Sequence, residues 1–318
     1  MPSEFELIAR YFNRPGKRTV LGVGDDAALV RVGADRELVA GADMLLAGRH
    51  FFPEDDAEGV GHKALAVNLS DFAAMGAIPR WALLSIALPE ADEAWLSAFT
   101  RGWFALAEAH GVALIGGDTT RGPLTLAVTL LGEIKRGAAL RRSGARVGDE
   151  IWVSGTLGDA AFALAALRRE VPLPPGELAC LLPRLHRPTP RLALGQRLVG
   201  LAHAAIDISD GLIADLGHVL EASGVGAHVH LAALPLSPVL AAWASHPVAR
   251  RAMLAGGDDY ELCFTAPASA HAAIARIGRR LGVAVTPIGR IMREPGLVLL
   301  DAAGHPISSE ETGFDHFA

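Results

Sequence analysis

Residues 56–88 read DAEGVGHKALAVNLSDFAAMGAIPRWALLSIAL. Val60, Ala64, Val67, Asp71 and Ala74 recur at the alternating three- and four-residue spacing of one helical face, which predicts a helix over 56–75. Trp81 to Leu88 is a bounded apolar run, which predicts a strand. Upstream, Glu37 to Ala42 reads as a strand that runs into Asp43. Downstream, Asp92 to His110 is an amphipathic helix, and Val112–Ile115 and Leu124–Ile134 are strands. At the amino terminus, Ser3 followed by Glu6 is a capping-box pattern for a short helix over Glu4–Tyr11. The turn at Pro15–Gly16 leads to a strand at Val20–Val23.

Past Leu124–Ile134, Gly and Arg become frequent between Lys135 and Gly148 and the periodicity breaks. A boundary there gives domains of 1–137 and 138–318. The second half reads as strand (Glu150–Ser154), helix (Asp159–Arg169), a proline loop at 172, 174 and 175, helix (Arg191–Val199), strand (Ala204–Ile208) and helix (Leu212–Ala222). Strands at Tyr260–Thr265 and Ala284–Ile291 then flank a helix over Ala268–Leu281. Strands and helices alternate in both halves, so the expected class is α/β (α+β) in two domains. Leu69-Ser70-Asp71 is echoed by Ile208-Ser209-Asp210, and Gly116-Gly117-Asp118 by Gly256-Gly257-Asp258, in the same order.

Composition narrows the function classes. The 318 residues are 51% hydrophobic, enough for sizeable cores without disulfides. With 29 Lys and Arg against 35 Asp and Glu, the net charge of −6 argues against a nucleic-acid partner. No apolar run is long enough for a bilayer span, and the acidic start Met1-Pro2-Ser3-Glu4 lacks the order of a signal peptide. A cytoplasmic protein is expected. Cys180 and Cys263 lie among apolar neighbours and read as small buried hydrophobes.

The aspartates carry the chemistry. Asp25 and Asp26 sit in a Gly-flanked loop, Asp43 at a strand end, and Asp118 after two glycines at another. Asp207 and Asp210 bracket a strand-to-helix turn. Turn and cap roles explain any one of these singly. Asp71 resists that reading, because a carboxylate on an apolar helical face must be paired or bind a cation. Converging carboxylates call for hard divalent cations, and all-oxygen ligands suit magnesium rather than zinc. No Gly-x-x-x-x-Gly-Lys-Ser/Thr loop, kinase-type Gly-rich loop or His-Glu-x-x-His motif is present. An acidic, glycine-rich site of this kind fits metal-bridged phosphates.

The ordered motifs resemble the thiamine-monophosphate kinase family. They are Gly22-Val23-Gly24-Asp25-Asp26-Ala27, Asp43-Met44-Leu45, His50-Phe51, Lys63 through Asp71, and Ala73-Ala74-Met75-Gly76-Ala77. Gly116 through Gly122, Arg142-Ser143-Gly144, Asp207-Ile208-Ser209-Asp210-Gly211, Gly257-Asp258-Asp259-Tyr260-Glu261-Leu262 and Gly313-Phe314-Asp315-His316-Phe317 complete the set. The family belongs with the aminoimidazole-ribonucleotide synthetase-like ATP enzymes. The resemblance implies an amino-terminal domain that binds metal and ATP and dimerises through its sheet, and a carboxy-terminal α/β domain that completes the ATP and substrate site. It implies transfer of the ATP γ-phosphoryl group to thiamine phosphate, the final step of thiamine diphosphate synthesis. Asp26, Asp43, Asp71, Asp118 and Asp207 would then hold Mg2+, and Asp210 a further ion. Gly117, Asp118 and Ser209 would contact ATP, Arg142 would counter triphosphate charge, and His50, Asp258 and Phe314 would face thiamine phosphate.

Two positions depart from the family pattern. Gly41 and Ala42 stand where Ser or Thr is common, leaving only backbone carbonyls for metal, and Asp258 stands where Glu is common. The same superfamily contains selenophosphate synthetases, but those use an amino-terminal Cys or selenocysteine, and no Cys precedes position 180. Taken alone, His50 reads as a packed or capping histidine. Lys63 and Arg121 read equally as phosphate ligands or as solvated or salt-bridged residues.

Overall fold

A computed structural model describes residues 4–14, 19–23 and 27–307. Asp25, Asp26, Ser3 of the capping box and the closing motif with Phe314 lie outside the described residues. Two compact units form: Met1–Phe72 with Ala77–Gly137, and Ala73–Gly76 with Ala138–Ala318.

In the first unit, α1 (Glu4–Leu7) continues as a π-helical turn over Ile8–Phe12, and β1 (Thr19–Leu21) pairs with β2 (Leu29–Val30). Then come β3 (Arg36–Leu46), α2 (Ala57–Ala74), β4 (Ile78–Leu88), α3 (Glu93–His110), β5 (Ala113–Arg121) and β6 (Thr125–Lys135). The larger sheet has the order β3-β6-β4-β5, with β4 and β5 parallel and the other pairs antiparallel. The two long helices have the boundaries their spacing predicts. Asp92 caps α3 by accepting from the Ala94 and Trp95 amides, and Gly111 ends it in the left-handed conformation.

The strands are longer than expected, and this moves two aspartates. Asp43 lies inside β3 rather than at its end, and β5 runs on through Gly116-Gly117-Asp118. Gly117 makes that continuation possible. Its φ is +150°, and a Cβ there would stand 1.8 Å from the Leu84 carbonyl oxygen.

Alternation along β3 buries Val39 and Leu45 on one face and exposes Leu38 (51%), Met44 (56%) and Leu46 on the other. Ala28 and Val30 cover part of the sheet around Trp81, Ala113 and Ile115. The described residues leave the β3 end of that face exposed.

The second unit holds β7 (Glu150–Ser154), α4 (Asp159–Leu167), α5 (Pro175–His186), α6 (Leu192–Leu198), β8 (Ala204–Asp207), α7 (Leu212–Ser223), β9 (Gly226–His230), α8 (Pro238–Ala242) and α9 (Pro247–Ala255). It closes with β10 (Leu262–Ala266), α10 (His271–Leu281), β11 (Val285–Met292), β12 (Gly296–Leu300) and β13 (Pro306–Ile307). Its sheet runs β13-β12-β9-β11-β7-β10-β8, antiparallel except for β9 with β12. Ile206, Ile208, Leu212, Leu216, Val219, Cys263 and Ile288 share one core. Cys180 corrects its expectation: it is exposed on α5, while Cys263 is buried. The two sequence echoes are not structural repeats. Leu69–Asp71 is helical and Ile208–Asp210 is a turn, while Gly116–Asp118 is strand and Gly256–Asp258 is loop. Among the described residues, no helix is long and apolar enough to cross a membrane.

Candidate active site

Each unit carries its own group of the expected site residues. In the first, Asp43 on β3 and Asp71 on α2 come together. Burial raises the Asp43 carboxyl above its ordinary range, and the interaction with the neighbouring Asp71 side chain pulls it back. Two half-buried carboxylates in contact must share a proton or accept a cation, because like charges at this distance resist joint ionisation. An all-oxygen pair suits a hard ion such as Mg2+. Gly41, two residues before Asp43 on the same side of β3, leaves room beside them. A Cβ built on it would stand 3.7 Å from Asp71 Oδ2 and 3.6 Å from Phe72, both ordinary contacts. Ala42 points to the exposed side.

Asp118 does not join this pair within one chain. β3 and β5 are opposite edges of the sheet, so three strand spacings, roughly 14 Å, separate them. Asp118 is exposed and accepts the Thr119 amide at 2.9 Å. His50 closes the turn after β3, its Nδ1 accepting the Leu46 amide at 2.9 Å and its own amide donating to the Leu46 carbonyl. That hydrogen bond leaves the ring proton on Nε2. Lys63 is buried and donates to the His50 carbonyl at 3.3 Å, and exposed Arg121 donates to the Pro89 carbonyl, so both serve the local backbone. Among the described residues no group of three or more His, Cys, Asp or Glu side chains is gathered for a metal ion.

In the second unit, buried Asp207 ends β8, followed by Ser209 and Asp210 in the turn to α7. Sequence reasoning missed what holds this turn. Asp215, in the first turn of α7, accepts the amides of Ser209, Asp210 and Gly211 at 3.0, 3.0 and 3.1 Å through one oxygen, Oδ2. Successive amides of this kind form an anion-binding nest, here filled by the chain's own carboxylate. Burial pushes the Asp215 carboxyl up to about 7, with the Asp207 and Asp210 charges adding to the rise and the Asp210 and Ser209 amides opposing it. The readable signal was an acid in the first helical turn after Asp-Gly. Gly211 starts α7 with φ +111°, and a Cβ there would meet the Ala255 carbonyl carbon at 2.6 Å.

The 257–261 loop is bonded to the same turn. The Asp258 amide donates to the Ser209 carbonyl, the Tyr260 amide to the Ile208 carbonyl, and the Ile208 amide to the Glu261 carbonyl. Asp259 and Glu261 point inward. Asp259 accepts the Gly158 amide, and burial raises its carboxyl well above the ordinary range. Glu261, fully buried, receives Arg184 at 2.6 Å, both Arg191 nitrogens at 2.5–2.6 Å and the Ser154 hydroxyl at 2.5 Å. Asp258 is half-exposed at the same turn. Arg142 is exposed, in a loop pinned to α7 by Ser223, whose hydroxyl donates to the Arg142 carbonyl and accepts the Gly144 and Ala145 amides.

Comparison with known proteins places the chain in a family. Residues 24–134 match the AIR synthase related protein N-terminal domain, and residues 146–301 the corresponding C-terminal domain. The chain is 45% identical over 319 residues to a thiamine-monophosphate kinase of Escherichia coli K12, covering 99% of this chain and 98% of that one. It is 41% identical to the one from Haemophilus influenzae, with 99% and 98% coverage. A solved thiamine-monophosphate kinase from Stenotrophomonas maltophilia K279a superposes with a TM-score of 0.85 at 51% identity, covering 89% of this chain and 91% of that one. The structure of AaThiL complexed with AMPPCP and TMP superposes with a TM-score of 0.78 at 34% identity, covering 93% and 92%. By these full-length matches, the chain belongs to the thiamine-monophosphate kinase family.

Proposed function

We propose that this chain transfers the γ-phosphoryl group of ATP directly, in line, to thiamine phosphate, giving thiamine diphosphate and ADP as the last step in making that cofactor. The observation that carries the reading is the contact between the Asp43 and Asp71 carboxylates in a chain of this family. The complex of a relative with AMPPCP, an ATP analogue, and TMP supports the choice of substrates.

The acceptor sets the demands on the residues. A phosphate monoester, with a second pKa near 6, is largely dianionic at neutral pH and needs no general base. The obstacle is bringing two polyanions together. Asp26, Asp43, Asp71, Asp118 and Asp207 would hold Mg2+ ions, Asp210 a further one, and the Gly41 and Ala42 carbonyls would add backbone ligands. Bound there, Mg2+ supplies neutralisation of phosphate charge. Arg142 adds fixed positive charge for the triphosphate. Gly117 and Ser209 take ATP through the backbone and a hydroxyl, and Asp215 keeps the Ser209–Gly211 amides in place. His50, Asp258 and Phe314 receive thiamine phosphate.

Assembly belongs to the same proposal. The bare side of β3, with Leu38, Met44 and Leu46, is the kind of apolar face that a second copy of the chain would cover. The proposed activity is tested by chromatography of the reaction products with and without chelator. Thiamine diphosphate should form only when a divalent cation is present. Undiminished turnover in excess chelator refutes the metal role, and no product with any metal refutes the acceptor.

A further inference from the structure

We propose that Tyr260 is the positioning residue for Asp258, fixing the orientation in which its carboxylate meets the acceptor. This rests on the reading that thiamine phosphate binds at Asp258.

The geometry comes from the loop itself. Asp258 and Tyr260 have φ of +68° and +49°, the left-handed region that side-chain-bearing residues seldom adopt. The Asp258–Ser209 and Tyr260–Ile208 backbone bonds hold them there. Between and after them, Asp259 and Glu261 are spent internally, on the Gly158 amide and on Arg184, Arg191 and Ser154. The strained pair therefore sets Asp258 and Tyr260 side by side, and the Tyr260 hydroxyl donates to Asp258 Oδ1 at 2.9 Å. The Tyr260 ring is buried, so the hydroxyl is delivered from a fixed support. Backbone strain of order 1–3 kcal/mol per residue persists where the surroundings enforce it, and ligand clamps are a common place for it.

A short carboxylate cannot adjust its reach, so its angle has to be set by a neighbour. Removing the hydroxyl frees that angle and leaves packing intact.

The test is steady-state kinetics of Tyr260→Phe, Asp258→Ala and the double variant, with melting temperatures. Tyr260→Phe should raise the KM for thiamine phosphate on the order of tenfold, the typical loss for a hydrogen bond to a charged group. The KM for ATP, kcat and the melting temperature should hardly move. In the Asp258→Ala background the second change should add nothing, because its effect passes through Asp258. Unchanged KM for the acceptor in Tyr260→Phe, while the parent enzyme is active, overturns this proposal alone. Parallel losses in both KM values and in stability, or an effect that persists without Asp258, reduce Tyr260 to a structural role and also overturn it. A parent enzyme that neither binds nor phosphorylates thiamine phosphate overturns the functional reading together with this one.

Discussion

The Asp258 amide donates to the Ser209 carbonyl at 2.9 Å. The turn proposed for ATP and metal, 207–211, and the loop proposed for the acceptor, 257–261, are therefore one hydrogen-bonded piece of the second unit. Asp215 braces it through three amides, and Glu261 anchors it to two arginines. Rigid support of this kind is what phosphoryl transfer needs, since positioning and electrostatics do most of the catalysis.

Replacing Asp71 or Asp207 with Asn separates metal ligation from turn and cap chemistry. Asn serves those structural roles about as well as Asp. Loss of one electrostatic stabiliser typically costs on the order of 100- to 1000-fold in rate. Turnover at saturating Mg2+ should fall by that much in each variant. Without metal, the melting temperature of Asp71→Asn should hold or rise, because its contact with Asp43 no longer sets two carboxylates against each other. Near-normal turnover in both variants returns the aspartates to structural roles.

Gly41→Ser tests the departure from the family pattern. A Cβ at this position meets only ordinary contacts, so the fold should tolerate it and gain slightly from reduced freedom of the unfolded chain. The added hydroxyl lies beside the Asp71 carboxylate. The Mg2+ concentration for half-maximal activity should drop, and an unchanged or higher value would remove Gly41 from the metal site.

The fold was legible where spacing is regular. Helices α2 and α3 follow from apolar residues three and four apart, with Asp92 and Gly111 as end marks. The second unit was read less completely. β9, β12 and β13 and helices α8 and α9 are short, and their sequence pattern was too brief to separate from loop. Proline at 175 starts α5, where it lacks no needed amide, although it reads as a loop residue. Asp118 was expected at the end of a strand over Val112–Ile115, whereas β5 runs on past it, with Gly117 there for the close approach of β4. Asp71 stood out as a carboxylate on an apolar helical face, but Asp215 did not. Its role exists only once α7 forms and turns that carboxylate back onto 209–211.

Glu261 should be the most stability-sensitive acid of the second unit. It is fully buried and bonded to Arg184, Arg191 and Ser154. Glu261→Ala leaves two largely buried guanidinium groups without their shared partner, a loss of about 3–5 kcal/mol for such a pair. Denaturant unfolding checks it. A loss under about 1 kcal/mol, the range of an exposed pair, would contradict the network's role.

Light scattering at micromolar concentration should give twice the chain mass of 33.3 kDa. Leu38→Glu places a charge on the bare side of β3, away from Asp43, and should shift the protein toward monomer. A parent protein that is a clean monomer refutes the assembly.

The central claim is that the γ-phosphoryl group of ATP ends on the phosphate of thiamine phosphate. Following γ-labelled ATP through a single turnover, with the products separated, tests it most directly. The label should appear in thiamine diphosphate in step with ADP, with little released as inorganic phosphate. Label found in inorganic phosphate, with thiamine phosphate unchanged or converted without it, would contradict direct transfer and the kinase reading with it.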